Sequence, residues 1–316
     1  MLARRIPHAS ESARWAVAEV DEGGSEGEGM NDKVIEFGET WNLWHECLSS
    51  KDPNSVFSQI SYMLWDTAIF RLIIESRQIQ ARNHIDIPEL NGRIILFIDR
   101  NFFEAQVASI RRQTDNYSLY GERGVYSLRA LLKDISDKRS KLTRSTFINL
   151  QNISESDWTD ISEAHQRFDK LSGISSVNRS NDDLIDANII KKLFSKLKTC
   201  EQIALYVDKY IAHSATPTSR SITNVDETRV TFREIWKAHK IIYRVMEFLC
   251  ESLFSSGLSP LPLEHPTMFM DSGIPIIDTS RISNLENAWK DYRTETNSWK
   301  FDGFDLLWKW LDDENL

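Results

Sequence analysis

The chain has 316 residues, 41% of them hydrophobic and 27% charged, with a formal net charge of −9. That length suits one large core with appendages better than two full domains. The acidic balance excludes a surface that holds nucleic acid by charge over its whole extent, because phosphate contacts need Lys and Arg. No stretch approaches the ~20 consecutive apolar residues of a membrane span, and the N-terminus lacks the apolar centre of a signal peptide. The expectation is a soluble, cytoplasmic protein with no membrane contact. Cys47, Cys200 and Cys250 are the three cysteines; they form no Cys-x-x-Cys pair, suit a reducing compartment and read as buried apolar residues.

Residues 1–30 are expected to be a disordered extension, because Asp21 to Gly29 is acidic, glycine-rich and short of apolar side chains. Two readings of it stay open: a flexible tail, or an upstream extension with Met30 as the true start, since Glu-Gly-Glu-Gly is encoded by a purine-rich run like a ribosome-binding site. From Lys33 onward the pattern is helical. Trp41, Trp44, Cys47 and Leu48 form one apolar stripe; Phe57, Ile60, Leu64, Ala68 and Leu72 form a second after a break at Ser49 to Pro53. Pro88 and Gly92 mark a loop, followed by a helix over Ile94 to Arg112 and a shorter one over Gly124 to Ile135. Residues 138–150 continue as a helical piece.

Ser154-x-x-Asp157 and Ser180-x-x-Asp183 resemble capping boxes and predict helices over 155–171 and 182–212, the first stopped by Gly173. Thr231-x-x-Glu234 opens another, which runs through Trp236, Ile241, Val245 and Leu249 to Gly257. The segment 200–212 is expected to pack against this helix. No period-2 run marks a strand, so the fold class is all-α. Pro260, Pro262, Pro266 and Pro275 then exclude a continuous helix, and two short helices over 283–297 and 304–311 close the chain. This Pro- and Trp-rich part, 258–316, reads as an appendage packed on a main domain of 31–257. Trp289, Trp299, Trp308 and Trp310 lie in it, which points to docking on the chain's own core or on a partner protein.

No glycine-rich phosphate loop, Gly-x-Ser-x-Gly elbow or His-Glu-x-x-His segment occurs, so no cofactor is expected. His165 and His239 have no second His or Cys at ligand spacing, and no metal is expected either. Arg77 and His84 satisfy an Arg-to-His spacing by chance, with Gln78 beside the arginine. Basic residues gather from Arg123 to Arg144, including Arg129, Lys133, Lys138, Arg139 and Lys141, and again at Lys191, Lys192, Lys196 and Lys198. Either group is a candidate RNA-facing patch, against the commoner reading of a solvated helix face.

The segment Tyr206-Val207-Asp208-Lys209-Tyr210-Ile211-Ala212-His213 is an aromatic, charged helix end, followed by small polar residues and Pro217. It resembles the motif of the HEPN superfamily, an Arg, an adjacent polar residue, and a His four to six residues later. Phe103 to Asp115 and Ser127 to Ile135 are similar to the preceding helix-loop-helix of the AbiU-like, abortive-infection branch. The resemblance covers roughly residues 35–255 and implies a HEPN-like helical bundle, a homodimer, and metal-independent RNA cleavage in antiphage defence. Asp208 fills the polar slot and His213 the histidine slot, while Val207 stands where the family has Arg. In the family the His transfers a proton and the Arg stabilises charge on the phosphate. Lys209 is the nearest substitute, four residues before His213 on an α-helix. Arg111 and Arg112 are a second source of charge. The alternative is a non-catalytic module that binds RNA, nucleotide or a partner protein.

Overall fold

The computed structural model describes residues 25–49, 51–82, 92–151, 158–223, 230–255 and 282–313. Among the described residues there are helices and no strand; the one β-type pairing is an isolated antiparallel bridge between Thr143 and Leu184. The all-α class is therefore what the chain adopts.

The order is α1 (Ser25–Ser49), α2 (Val56–Arg82), α3 (Gly92–Gln113), α4 (Leu128–Asp137), α5 (Arg144–Leu150), α6 (Trp158–Ser172), α7 (Ala187–Lys198), α8 (Glu201–Tyr206), α9 (Pro217–Ser221), α10 (Phe232–Leu249), α11 (Ile282–Asn297) and α12 (Phe304–Asp312). Two of these helices, α8 and α10, run on into wider π-helical turns, Val207–Ala212 and Cys250–Phe254. The expected break after α1, the stop at Gly173 and the two closing helices are all present. Pro88, His84, Ser154, Asp157, Gly257 and Pro260 to Pro275 lie outside the described residues.

Helix ends follow local chemistry. Ser127 caps α4 by accepting from Ala130 N at 3.0 Å, while its own hydroxyl donates to Asp115 O at 2.8 Å. The helix therefore begins at Leu128, not Gly124. Thr231 and Glu234 form the full reciprocal box that opens α10, with Thr231 N donating to Glu234 Oε2 at 2.7 Å. The apolar stripes then meet in one core that contains Trp44, Leu64, Ile110, Leu131, Phe147, Phe168, Ile242 and Met246. Each such side chain contributes about 1.5–3 kcal/mol on burial. The three cysteines are buried in it as free thiols, and burial pushes the Cys47 and Cys200 thiols up to about 12.

Helix α1 begins at Ser25, and residues 1–24 of the expected extension lie outside the described residues. Three expectations are corrected. Ser180 N does donate to Asp183 Oδ2 at 3.0 Å, yet no helix opens there. Asp183 is claimed by the buried Arg144, whose Nε lies 2.9 Å from it, and α7 starts after a different cap, Asp186. The helix expected over 182–212 is broken between Lys198 and Glu201 and again at Val207. Finally, α8 and its π turn pack on α3, and it is α7 that packs on α10.

The closing helices are tied into the same body. Helix α11 lies along α2, where Tyr292 OH donates to Leu64 O at 2.9 Å and Arg71 pairs with Glu295. Trp289, Trp299 and Trp310 are buried, and Trp299 and Trp310 belong to the main core. Their indoles are thus spent on the chain's own interior.

Candidate functional site at the end of a broken helix

Residues 201–216 form the site, and its shape follows from a change in helical winding. Helix α8 runs one and a half turns and then widens at Val207–Ala212. In a π turn the backbone bond closes from i to i+5, which sets position 213 one turn above Asp208. Continued α winding would have carried it about 140° around the axis. His213 ends the turn with φ −124°, and Ser214 follows in the left-handed region at φ 43°. Only glycine enters that region without strain, so Ser214 is held there by its surroundings. Ala215 N supplies the hold, donating to Lys209 O at 2.8 Å. The imidazole of His213 is exposed.

Val207 lies on the opposite side, 4% exposed and part of the main core with Ile203. The Val207 side chain therefore faces the interior. Asp208 is half-buried and receives Arg111 from α3, whose Nε donates to its Oδ1 at 3.1 Å. Arg111 also pairs with Asp115 one turn along its own helix. Partial burial works against the guanidinium charge, but Asp208 and Asp115 outweigh it and hold the Arg111 pKa above its usual value.

Arg111 and Asp208 line a cleft of about 600 Å³ with Thr114, Asp115, Arg129, Glu201 and others. Arg129 crosses from α4 to Glu201 at 2.9 Å. The ionised side chains that line the cleft are thus two arginines and three carboxylates, Asp115, Glu201 and Asp208. Their sum is negative, and each arginine is already engaged by a carboxylate. Such a cleft repels a phosphate more than it attracts one.

The other sequence candidates disperse. Arg112 turns to the far side of the α3 end, where it borders a second cleft of about 480 Å³ with Asp52, Asn54 and Tyr126. Arg139 donates to Ile185 O at 2.7 Å, and Lys141 is exposed in the same short turn after α4. That turn lies ten residues beyond Arg129, about 15 Å along a helix axis. Arg139 and Lys141 line neither the cleft that Arg111 borders nor the one that Arg112 borders. Two of the four lysines of the row on α7 are committed elsewhere: Lys192 pairs with Asp312, and the buried Lys196 donates to Asp313 O and lies 5.2 Å from the Trp310 ring.

Lys209 does not line the cleft either; its ammonium donates to Ser219 Oγ on α9 at 2.9 Å. Two residues near it were not singled out from the sequence. Tyr210, 37% exposed, stacks on Tyr206 at 4.8 Å between ring centres. Arg220 lies 5.1 Å over the Tyr210 ring and donates to Ala215 O at 2.7 Å. The four-residue spacing of the two tyrosines was a readable sign of stacking. Arg220 carried none, since it follows His213 and lies outside any motif window.

No family model, no curated protein and no solved structure matches the chain. No described helix is long and apolar enough to cross a membrane.

Proposed function

We propose that this chain is a HEPN-like, metal-independent endoribonuclease of antiphage type that acts as a homodimer, with His213 as its proton-transfer residue. The observation that supports this reading is the exposed imidazole at a π-helical end, one turn above a carboxylate that an arginine holds in place. In the reaction, the RNA 2′-hydroxyl attacks the adjacent phosphorus, its proton leaves to a base, and the 5′-oxygen departs with a proton from an acid. An imidazole serves either role near neutral pH.

The test is RNA cleavage by the purified protein. His213→Ala should abolish it with the melting temperature nearly unchanged, and a chelator should have no effect. Cleavage that survives in His213→Ala, or that appears only with added divalent metal, would falsify the assignment.

A second reading, a non-catalytic module that binds RNA, nucleotide or a partner protein, draws support from two observations. Val207 is in the core, and Arg111 is neutralised by two carboxylates. Wild-type protein that binds RNA without cutting it, and whose expression leaves bacterial growth unaffected, would favour this module.

A further inference from the structure

The start of α10 departs from the acidic balance of the chain. From Phe232 to Lys240 the helix carries Arg233, Lys237 and Lys240 against a single acid, Glu234. At 100° per residue, Phe232, Arg233, Trp236, Lys237 and Lys240 fall within about 140° of arc. The opposite face, with Ile235, Ala238 and His239, is buried. That burial turns the arc toward solvent, and Phe232, Arg233 and Lys237 are exposed on it. Among the described residues, the side chains of Arg233 and Lys237 take part in no ion pair or hydrogen bond. Glu234 cancels only part of their charge, because its carboxylate is turned back to accept from Thr231 N at 2.7 Å. Glu295, the acid that acts on the half-buried Lys240 from α11, is itself paired with Arg71.

Phe232 gives this arc an aromatic surface that is already fixed. Its ring stacks on Trp236 at 5.7 Å and on Phe102 at 6.1 Å between ring centres, and Phe102 in turn stacks on Phe70 at 3.8 Å. Phe232 is the exposed member of that ladder, at 37%. The reciprocal cap of Thr231 and Glu234 holds its backbone, so a planar group that stacks on it meets little ordering cost. An exposed ring with cations beside it suits single-stranded RNA, in which every base has a π-face and every nucleotide a phosphate. The ladder also leads to the candidate site. The Phe103 ring stands edge-on, 5.9 Å from both Phe232 and Tyr206. Tyr206 precedes the π turn that ends at His213, on the lip of the loop.

We propose that the first turns of α10 form a docking strip for single-stranded RNA, in which Phe232 stacks a base and Arg233 and Lys237 contact phosphates, with Lys240 at the edge. The inference rests on RNA as the ligand of this chain, and it separates the surface that holds the strand from the imidazole that would act on it. Neither Arg233 nor Lys237 has to leave a carboxylate in order to bind, in contrast with Arg111 and Arg129 in the cleft. An acidic protein thereby holds RNA on one helix face and not over its whole surface.

The experiment measures the affinity of a fluorescein-labelled, mixed-sequence single-stranded RNA by anisotropy across a salt series, with cleavage of the same RNA read in parallel. Arg233→Gln combined with Lys237→Gln should lower the slope of log affinity against log salt by about 1.4, two phosphate contacts on a single strand. Both side chains are exposed, so the melting temperature should stay at the wild-type value. The charge-preserving pair, Arg233→Lys with Lys237→Arg, should keep the slope, and Lys290→Gln, exposed on α11, should match wild type. Phe232→Leu keeps an apolar side chain but loses the π-face; it should weaken binding about tenfold with the slope unchanged. An unchanged slope in the double Gln variant overturns the proposal, and so does wild-type protein that binds no RNA. A slope loss of the same size per charge in Lys290→Gln, the mark of a diffuse field, overturns it too, as does full affinity in Phe232→Leu. Wild type that binds but does not cut, with a reduced slope in the double Gln variant, upholds the strip and refutes the ribonuclease reading. His213-dependent cleavage with an unchanged slope in the double Gln variant does the reverse.

Discussion

Arg111 on α3 donates to Asp208 on the π turn, 97 residues further along the chain, at 3.1 Å. This pair joins the end of one long helix to the start of the segment that carries His213, and it does so at the rim of a cleft, with both side chains about one third exposed. Pairs so exposed contribute little: solvent screening limits them to about 0.2–1 kcal/mol. The expected outcome of a double-mutant cycle on Arg111→Ala and Asp208→Asn in urea is a coupling of about 0.5 kcal/mol. A coupling above 2 kcal/mol would mean that the pair acts as a structural keystone.

Val207→Arg would put an arginine six residues before His213, the arrangement of the motif that this segment resembles. In this fold it places a charge at a site 4% exposed and packed among apolar side chains. An unpaired buried charge costs several kcal/mol. The variant should therefore melt well below wild type, with no gain in RNA cleavage. A variant of unchanged melting temperature that cleaves faster would show that the side chain escapes to the lip.

Arg144 is 1% exposed and reaches Asp183 at 2.9 Å and Asp169 at 2.8 Å, which joins α5 to α6 and to the loop before α7. Its removal takes from Asp183 the guanidinium that pairs with it and leaves Asp169 with Arg179. Arg144→Met should destabilise the protein by about 3–5 kcal/mol. Arg179→Ala, which loses only a partly exposed contact to Asp169, should cost less than about 1 kcal/mol. Equal losses in the two urea titrations would refute this ranking.

Glu247 on α10 is pushed up to about 7, chiefly by burial, with Glu251 adding to the shift; the Tyr243 hydroxyl, the Phe301 N–H and Lys300 pull it down. Its Oε2 has no hydrogen-bond partner among the described residues. A carboxyl raised in the folded state binds its proton more tightly there than in the unfolded chain. Its stabilising contribution is complete below the unfolded value near 4.5 and is lost as pH rises through about 7. Urea midpoints should therefore fall between pH 5 and pH 8, and Glu247→Gln should flatten that fall, a change on the order of 2 kcal/mol after solvent screening. An identical pH profile for the variant would remove Glu247 as its source.

The helical class, the Thr231 box and the stop at Gly173 were legible because each depends on residues within one turn of one another. The Ser180 box misled because its acid, Asp183, is taken by Arg144, 39 residues away. The basic row at Lys192 and Lys196 misled for the same reason, since its partners Asp312 and Asp313 follow more than a hundred residues later. At the site, Asp208 and His213 were readable as a pair of side-chain types. Their actual geometry was not, because Ile203, Val207 and Ile211 keep a four-residue spacing through a stretch that changes from α to π winding. Periodicity reports which face is apolar, and it does not report how wide the turn is.

Trp299, Leu307, Trp310 and Leu311 sit in the same apolar cluster as Trp44 and Ile110. During synthesis the chain emerges from its N-terminal end, so the helices that carry Asp208 and His213 are made well before the tryptophans that cover α7 and α10. Until those last side chains arrive, the Lys196 stem, the face of Arg244 and the ring of Tyr243 have lost the neighbours they rest on in the finished molecule. A nascent chain halted near residue 298 holds the whole candidate site on an incomplete support. Completion of this core waits until residues 299–311 have left the ribosome's exit tunnel.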